Sequence, residues 1–355
     1  MKKIVLILFT VAIITSVKAQ KENIWSAKKA NEWYKKQGWL VGGNFLPSNA
    51  INQLEMWQAD TFDTTTISRE LGYAEGIGMN TMRVFLHDLL WKDDAVGFKK
   101  RIDIFLTIAS NHHIKPLLVF FDDCWNPNAK LGKQPEPKLG IHNSGWVKSP
   151  SNDVYNDSTK WGYLQAYVTD ILTTYKKDKR ILMWDLYNEP TSRNKGTLSL
   201  PLLKKVFEWA WAVRPSQPLT SSIQNTRTNI LELNNYQKAH CDVITFHNYG
   251  DTNSLKRDIE DMQRIGRPLI CTEYMARPNK SRFTTHLPVF IRYNVGAINW
   301  GLVSGKSNTI YAWKDKSHTD GSEPVVWFHD VFRKDGTPYD VKETDLIKLL
   351  ASKAK

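Results

Sequence analysis

The chain has 355 residues, of which 41% are hydrophobic, 24% charged and 12% aromatic. This length and composition allow one large buried core and exclude a disordered, collagen-like or multi-span membrane protein. The formal net charge is +12, but the basic residues come in short pairs and triplets without a nucleic-acid-binding motif, so we expect no nucleic-acid partner.

The first 19 residues have the pattern of a signal peptide. Lys2 and Lys3 precede an apolar run at residues 4–14, and Val17-Lys18-Ala19 follows as a cleavage site. We predict cleavage after Ala19, a single mature domain at residues 20–355, and a secreted or periplasmic location. The apolar run is too short for a good membrane span, and no other run approaches 18 residues, so we expect no membrane-spanning segment.

The rest of the chain alternates between short apolar runs and longer amphipathic stretches. Near-continuous apolar runs are typical of strands that are buried on both faces. We predict eight strands, at residues 39–45, 80–86, 115–121, 181–187, 218–224, 242–249, 268–274 and 297–303. Apolar side chains at helical spacing predict helices at residues 66–77, 98–112, 161–175, 202–213, 255–265, 283–293 and 343–352, with a weaker one between 229 and 240. This alternation predicts an α/β fold, a (β/α)₈ TIM barrel. A doubly wound open sheet is the alternative, but no glycine-rich phosphate loop follows the first strand.

Two predicted connections are long, residues 122–157 after the third strand and residues 305–329 after the eighth. Both belong to the face on which barrel enzymes carry their sites. The sequence has 14 tryptophans, more than a core usually needs, and several of them fall in or near these loops. We expect these to stack on flat apolar faces of a ligand: Trp125, Trp146, Trp300, Trp313 and Trp327.

Two glutamates stand where predicted strands end. Asn188-Glu189-Pro190 ends the fourth strand and Glu273-Tyr274 ends the seventh, so both carboxyl groups can point into one mouth of the barrel. A pair of carboxylates in one cleft is the basic equipment of glycoside hydrolysis, in which one protonates the leaving oxygen and the other attacks or activates water. The two roles require environments that separate the two pKa values.

Polar residues near other strand ends could provide that separation. We predict that Arg83 and Tyr249 hold Glu273 as a carboxylate, by charge and by hydrogen bonding. His247 is expected beside Glu189. The remaining predicted contacts with substrate are His87, Asn188, Trp125, Trp300 and Trp313.

The order of these residues resembles glycoside hydrolase family 5, the cellulase and mannanase family. The resemblance covers roughly residues 39–305 and rests on Arg83, Asn188-Glu189-Pro190, His247-x-Tyr249, Glu273 and Trp300. It implies a retaining glycosidase acting on β-linked, plant-type glycans, with Glu189 as acid/base and Glu273 as nucleophile. Retention requires the carboxyl groups to lie about 5–5.5 Å apart, and inversion about 6.5–9.5 Å. We expect a carbohydrate substrate, no cofactor, no metal, and a monomer.

Two alternatives remain at this point. A non-catalytic sugar-binding barrel would keep the tryptophans but would need neither glutamate. A transglycosylase would have the same residues and differ in how well it excludes water. The sequence names neither the sugar nor the linkage, and it does not decide between internal and terminal cleavage. Asp122 and Asp123 are interpreted as sugar-contacting or loop-capping residues, because no further metal ligands are evident. The three cysteines are interpreted as small buried thiols: Cys124, Cys241 and Cys271.

Overall fold

A computed structural model describes residues 23–192, 196–224 and 230–353. The predicted signal peptide at residues 1–19 lies outside the described residues. Eight parallel strands form one sheet, and they are β1 Val41–Asn44, β2 Thr81–Phe85, β3 Lys115–Asp122, β4 Met183–Asn188, β5 Leu219–Thr220, β6 Ile244–His247, β7 Leu269–Glu273 and β8 Gly296–Asn299. The strand order is β5-β4-β3-β2-β1-β8-β7-β6, so β1 pairs with both β2 and β8.

The two ends of this sheet meet just after β5. Ile223 forms a parallel bridge with Phe246 of β6, and its backbone N–H donates to the carbonyl of Thr245 at 2.9 Å. The sheet is therefore a nearly closed barrel, and the predicted (β/α)₈ fold is confirmed. Gly42 allows the close approach of β1 to β2, because a Cβ there would lie 1.7 Å from the carbonyl oxygen of Thr81.

Helices follow most of the strands and surround the barrel. In chain order, the α-helices are Ala27–Lys35, Gln53–Trp57, Thr64–Gly76, Asp88–Asn111, Asn152–Tyr155, Gly162–Tyr175, Leu200–Val213, Leu231–His240, Thr252–Gln263, Phe283–Arg292 and Val341–Lys353. The predicted helix at 98–112 begins ten residues earlier, at Asp88, and departs from helical geometry at Asp94. That interruption explains why the apolar periodicity becomes regular only after it. None of the described helices is both long enough and apolar enough to cross a bilayer.

The barrel interior holds an apolar cluster and, toward the carboxyl ends of the strands, a buried polar network around Arg83 and Asp185. Leu117, Val119 and Ile298 belong to the same buried cluster as Phe85 and Trp300. The last two lie near the strand ends, so the apolar floor of the barrel mouth is continuous with its core. A second, larger cluster packs the helices against the outside of the sheet.

Candidate active site

A cavity of about 590 Å³ lies at the carboxyl ends of the strands. Most of the predicted site residues line it: Glu189, Glu273, Asn188, His247, Tyr249, Trp125, Trp300 and Trp313. Trp146, from the long loop after β3, also lines it. Arg83 lies beneath the cavity, fully buried, and reaches it through its contacts with Glu273 and Asn188.

Glu273, the last residue of β7, is held by a cation and by a phenol. Arg83 Nη1 donates to Glu273 Oε1 at 2.8 Å, and the hydroxyl of Tyr249 donates to Oε2 at 2.9 Å. The same guanidinium is fixed from its other side by Asp185, in the middle of β4, at 2.8 Å. The predicted contacts of Arg83 and Tyr249 with Glu273 are therefore present.

Glu189, directly after β4, is in contact with no arginine or lysine of the described residues. Gln224 Nε2 donates to its Oε2 at 3.0 Å, and the thiol of Cys124 donates to the same oxygen at 3.1 Å. The backbone of Glu189 has a φ of 41°, in the left-handed region that non-glycine residues seldom adopt. This turn directs the side chain into the cavity, and such backbone strain is typical of functional sites.

His247 joins the two carboxyl groups. Its Nδ1 lies 2.7 Å from Glu189 Oε1 and 3.4 Å from Glu273 Oε2. One oxygen of each glutamate and one ring nitrogen of His247 all lie within 4.8 Å of one another. Burial lowers the pKa of His247 to about 4, so at neutral pH the ring bridges the carboxyl groups without adding a positive charge.

Burial dominates the ionisation of both glutamates. It raises the pKa of Glu273 to about 7; the neighbouring Glu189 carboxyl adds to that rise, and His247, the positive charge of Arg83 and the Tyr249 hydrogen bond oppose it. Burial also raises the pKa of Glu189, opposed by the hydrogen bonds from Cys124 and Gln224 and by the more distant charge of Arg83. Two carboxyls this close share protons as a pair, and the direct ion pair favours Glu273 as the ionised member.

Asn188 is fixed through both ends of its amide. Its Oδ1 accepts from Arg83 Nη2 at 2.6 Å, and its Nδ2 donates to Asp122 Oδ1 at 2.8 Å. Asp122 also accepts from the indole N–H of Trp146 at 2.7 Å. Burial raises the pKa of Asp122 to about 6, although both donors oppose the rise. Asp122 therefore orients Asn188 and the Trp146 ring at the cavity wall.

Three predictions need correction. His87 is fully buried and does not line the cavity; its Nδ1 accepts from the backbone N–H of Leu89 and caps the helix that begins at Asp88. Trp327 is also buried, where it stacks on Tyr339. Cys124 is not a fully buried thiol like Cys241 and Cys271, because it is partly exposed and contacts Glu189.

Several residues at this site were not predicted from the sequence. Asp185 supports Arg83 from within a strand, and Gln224 contacts Glu189. His142 and Asn143, in the long loop after β3, line the cavity. Asp123 is paired with buried Lys148 at 3.1 Å, so its role in this structure is to anchor that loop. Of these residues, only Asp185 has a signal in the sequence. It is an aspartate within an apolar run, and a buried charge of this kind requires a partner.

Glu189, His247 and Glu273 also form a cluster with the composition of a metal site. The guanidinium of Arg83 at 2.8 Å from Glu273 places a fixed positive charge against this cluster and opposes a divalent cation there. The arrangement fits proton transfer and nucleophilic attack by a carboxylate pair better than it fits metal coordination.

Comparisons with known proteins identify relatives by fold. No protein-family model matches the chain, and no curated protein matches its sequence. Among solved structures, an endo-β-1,4-mannanase from Thermotoga petrophila is 14% identical, with a TM-score of 0.57 over 91% of this chain and 78% of the mannanase. An exo-β-1,4-mannosidase from an Opitutaceae bacterium is 16% identical, with a TM-score of 0.59 over 89% of this chain and 59% of that one. GH5_18 from Streptomyces cattleya, in complex with GlcNAc, is 10% identical, with a TM-score of 0.60 over 89% and 80% of the two chains. At these identities the likeness establishes that this chain shares the barrel fold of these three proteins.

Proposed function

We propose that this protein is a retaining glycosidase that hydrolyses β-linked glycans, with Glu273 as the nucleophile and Glu189 as the acid/base. The observation that carries the proposal is the pair itself. An oxygen of one carboxyl group lies within 4.8 Å of an oxygen of the other, which is compatible with the close pair, about 5–5.5 Å between carboxyl groups, that retention requires.

The first step uses the difference between the two carboxyl groups. An oxygen of ionised Glu273 attacks the anomeric carbon, the glycosidic C–O bond breaks, and the proton of Glu189 passes to the leaving oxygen. Arg83 and Tyr249 hold the attacking carboxylate in place through hydrogen bonds at 2.8 and 2.9 Å. Asn188, fixed by Arg83 and Asp122, is positioned to contact a hydroxyl group beside the reacting carbon.

The second step regenerates the enzyme. Glu189, now a carboxylate, takes a proton from water, and the water oxygen attacks the anomeric carbon and releases Glu273. Trp300 and Trp146 line the cavity with their rings 5.5 Å apart, and they provide the apolar surface on which a sugar ring packs. The reaction needs no group beyond these side chains, and we propose that the enzyme acts as an exported monomer.

The fold neighbours suggest the first substrates to try. They include a β-mannanase, a β-mannosidase and a β-glucosidase, so a panel should begin with β-mannosides and β-glucosides and extend to xylans and galactans. Proton NMR of the first-formed product tests the stereochemistry. We expect the β-anomer to appear first and the α-anomer to grow only by mutarotation. An α-anomer formed first would contradict retention, and the absence of hydrolysis across the panel would contradict the proposed activity.

A further inference from the structure

The two long loops at the mouth of the barrel are bonded to each other. Four hydrogen bonds between described residues join them: Asn143 N to Ser307 O at 2.8 Å, His142 Nδ1 to Tyr311 O at 2.8 Å, and Asn308 Nδ2 to Lys138 O at 2.9 Å and to Ile141 O at 3.3 Å. The loops also meet closely at Gly140, where a Cβ would lie 2.1 Å from the carbonyl oxygen of His318. Residues 138–143 and 307–318 thereby form a wall beside the cavity, which we call the loop wall.

The loop wall stands on the Glu273 side of the cavity. Trp313, from the loop after β8, packs edge-on against Tyr249 at 4.9 Å, and the hydroxyl of Tyr249 donates to Glu273. Asn143, from the other loop, lines a small adjoining cavity together with Trp300. The surroundings of Glu189 are different, because Cys124, Ser192 and Gln224 border the cavity there.

Two buried acceptors of the loop wall have no donor among the described residues. His142 lines the cavity and is 2% exposed. Its Nδ1 donates to the Tyr311 carbonyl, which leaves Nε2 as an acceptor without a hydrogen-bond partner in the described part of the chain. Asn143 Oδ1, beside it, also has none among the described residues. Burial lowers the pKa of His142 to about 4, so the ring remains neutral and Nε2 remains an acceptor at neutral pH.

Unpaired buried acceptors are costly, and native proteins seldom leave them without a partner. The hydroxyl groups of a sugar are donors of suitable size and number for these two atoms. In a double displacement, the nucleophile reaches the anomeric carbon of the glycone sugar, and the proton donor reaches the leaving oxygen on the opposite face of that sugar. A sugar attacked by Glu273 and packed on Trp300 would therefore lie beside the loop wall, because the wall places Trp313 against Tyr249 and Asn143 beside Trp300.

Resting on the function proposed above, we propose that the loop wall closes the glycone end of the cavity. His142 and Asn143 accept hydrogen bonds from hydroxyl groups of the terminal sugar, and a longer glycone chain meets the wall. The enzyme therefore removes single sugars from the non-reducing end of a β-linked glycan and does not cleave inside the chain.

The products of the wild-type enzyme test whether the glycone end of the cavity is closed. On oligosaccharides whose reducing end has been converted to the alditol, we expect the earliest products to be one free monosaccharide and a chain one unit shorter. On the matching polysaccharide, reducing sugar should appear while viscosity stays nearly constant. An early fall in viscosity with mixed oligosaccharide products would overturn the closed end while leaving the proposed hydrolysis intact. A protein inactive on aryl glycosides and oligosaccharides alike would overturn both proposals.

The role of His142 is tested by pairing variants with altered substrates. His142→Asn keeps a donor near the Nδ1 position and removes the Nε2 acceptor, whereas His142→Gln places an amide oxygen near Nε2. We measure kcat/KM on aryl glycosides that lack one hydroxyl group at a time. At the hydroxyl position that contacts His142, we expect removal of the hydroxyl to lower kcat/KM about tenfold or more in the wild type and in His142→Gln. In His142→Asn the same removal should lower kcat/KM less than about threefold.

A merely structural role for His142 predicts another pattern. In that case His142→Asn would lose the same factor with every substrate, deoxygenated or not, and the proposed contact would be wrong. His318→Asn is the matched control, since His318 belongs to the same wall but does not line the cavity and is paired with Asp315 at 2.7 Å. It should keep the wild-type pattern across the substrate series. Thermal unfolding of each variant confirms that the compared proteins are folded.

Discussion

The two halves of the cavity each hold a glutamate, Glu273 or Glu189, and the two differ in the charge of the groups that contact them. Glu273 accepts from a guanidinium that is itself buried between two carboxylates, Glu273 and Asp185. Among the described residues, Glu189 accepts from His247, which its lowered pKa of about 4 keeps neutral, and from a thiol and an amide that are also neutral. Burial raises both pKa values, so burial alone does not distinguish the roles. The formal charge of the donors in contact does distinguish the two roles, because a cation stabilises an ionised carboxylate more than a neutral donor does.

The largest expected effect is that of Glu273→Ala, because this change removes the proposed nucleophile. We expect kcat/KM to fall by at least about 10⁴-fold, equivalent to about 5.5 kcal/mol of barrier, with aryl and sugar leaving groups alike. Glu343→Gln is the matched control, since it alters another buried arginine–glutamate pair, with Arg277 at 2.6 Å, outside the cavity. If Glu273→Ala kept activity within about tenfold of wild type, Glu273 would not be the nucleophile.

The activity that Glu189→Ala loses should depend on the leaving group of the substrate. A natural glycan needs protonation of its leaving oxygen, so we expect a loss of about 10³-fold, within the usual range for general acid catalysis. An aryl group of low pKa needs little protonation, so its first step should survive and the glycosyl-enzyme should accumulate. Azide should restore turnover and give a β-glycosyl azide, whereas azide acting with Glu273→Ala should give the α-azide. The opposite pair of products would exchange the two assignments.

Arg83→Met tests the charge that separates the two halves. Arg83 opposes the rise in the pKa of Glu273, so removing the cation should raise that pKa further. Less of the nucleophile is then ionised at a given pH, and the acid limb of the kcat/KM profile should move to higher pH. We expect about a 10²-fold loss at neutral pH, and Arg83→Lys should recover part of it. An acid limb that stayed in place or moved to lower pH would contradict the assigned role of Arg83.

Arg83→Met will also reduce stability, because Asp185 and Glu273 lose their shared cation in the barrel interior. Breaking a buried ion pair by removing one partner typically costs about 3–5 kcal/mol. The pH profiles should therefore be recorded well below the melting temperature of the variant. Arg83→Lys provides the comparison in which the positive charge is kept but the forked hydrogen bonding is not.

The smallest expected effect is that of Cys124→Ala on the Glu189 side. The thiol hydrogen bond lowers the pKa of Glu189, so its removal should raise that pKa and move the alkaline limb of the profile to higher pH. Activity at the optimum should change by less than about tenfold, because Gln224 and His247 still contact the carboxyl group. A shift of the alkaline limb to lower pH would mean that Cys124 does not donate to Glu189.

The sequence was sufficient for the barrel because its strands are buried on both faces and read as apolar runs. It was also sufficient for Glu189, Glu273 and their neighbours, because the carboxyl ends of parallel strands meet on one side of a barrel. The predicted length of the fifth strand, residues 218–224, is too great, because β5 pairs as a strand only at Leu219–Thr220. Beyond this point, Ser222 turns its hydroxyl to Asp185 at 2.6 Å.

The remaining errors concern what happens after a strand ends. His87 follows β2 by two residues, but its side chain caps the next helix, so the inward alternation of the strand no longer applies. Cys124 follows β3 and enters the cavity by a turn that no periodicity encodes. The hydrogen bonds between residues 138–143 and 307–311 join two irregular segments about 170 positions apart. Such contacts carry no local pattern, so only the folded structure brings His142 and Asn143 to the site.

The bonded loops also determine how a substrate can move through the enzyme. A catalytic groove that is open at both ends can keep hold of a polymer and advance along it after each cut, whereas a cavity walled on one side has a single direction of entry and exit. The released sugar must leave by the route that the leaving chain has just vacated. We therefore expect distributive degradation, in which the shortened chain dissociates completely before the next encounter, and inhibition by the leaving chain when it returns before the sugar has departed.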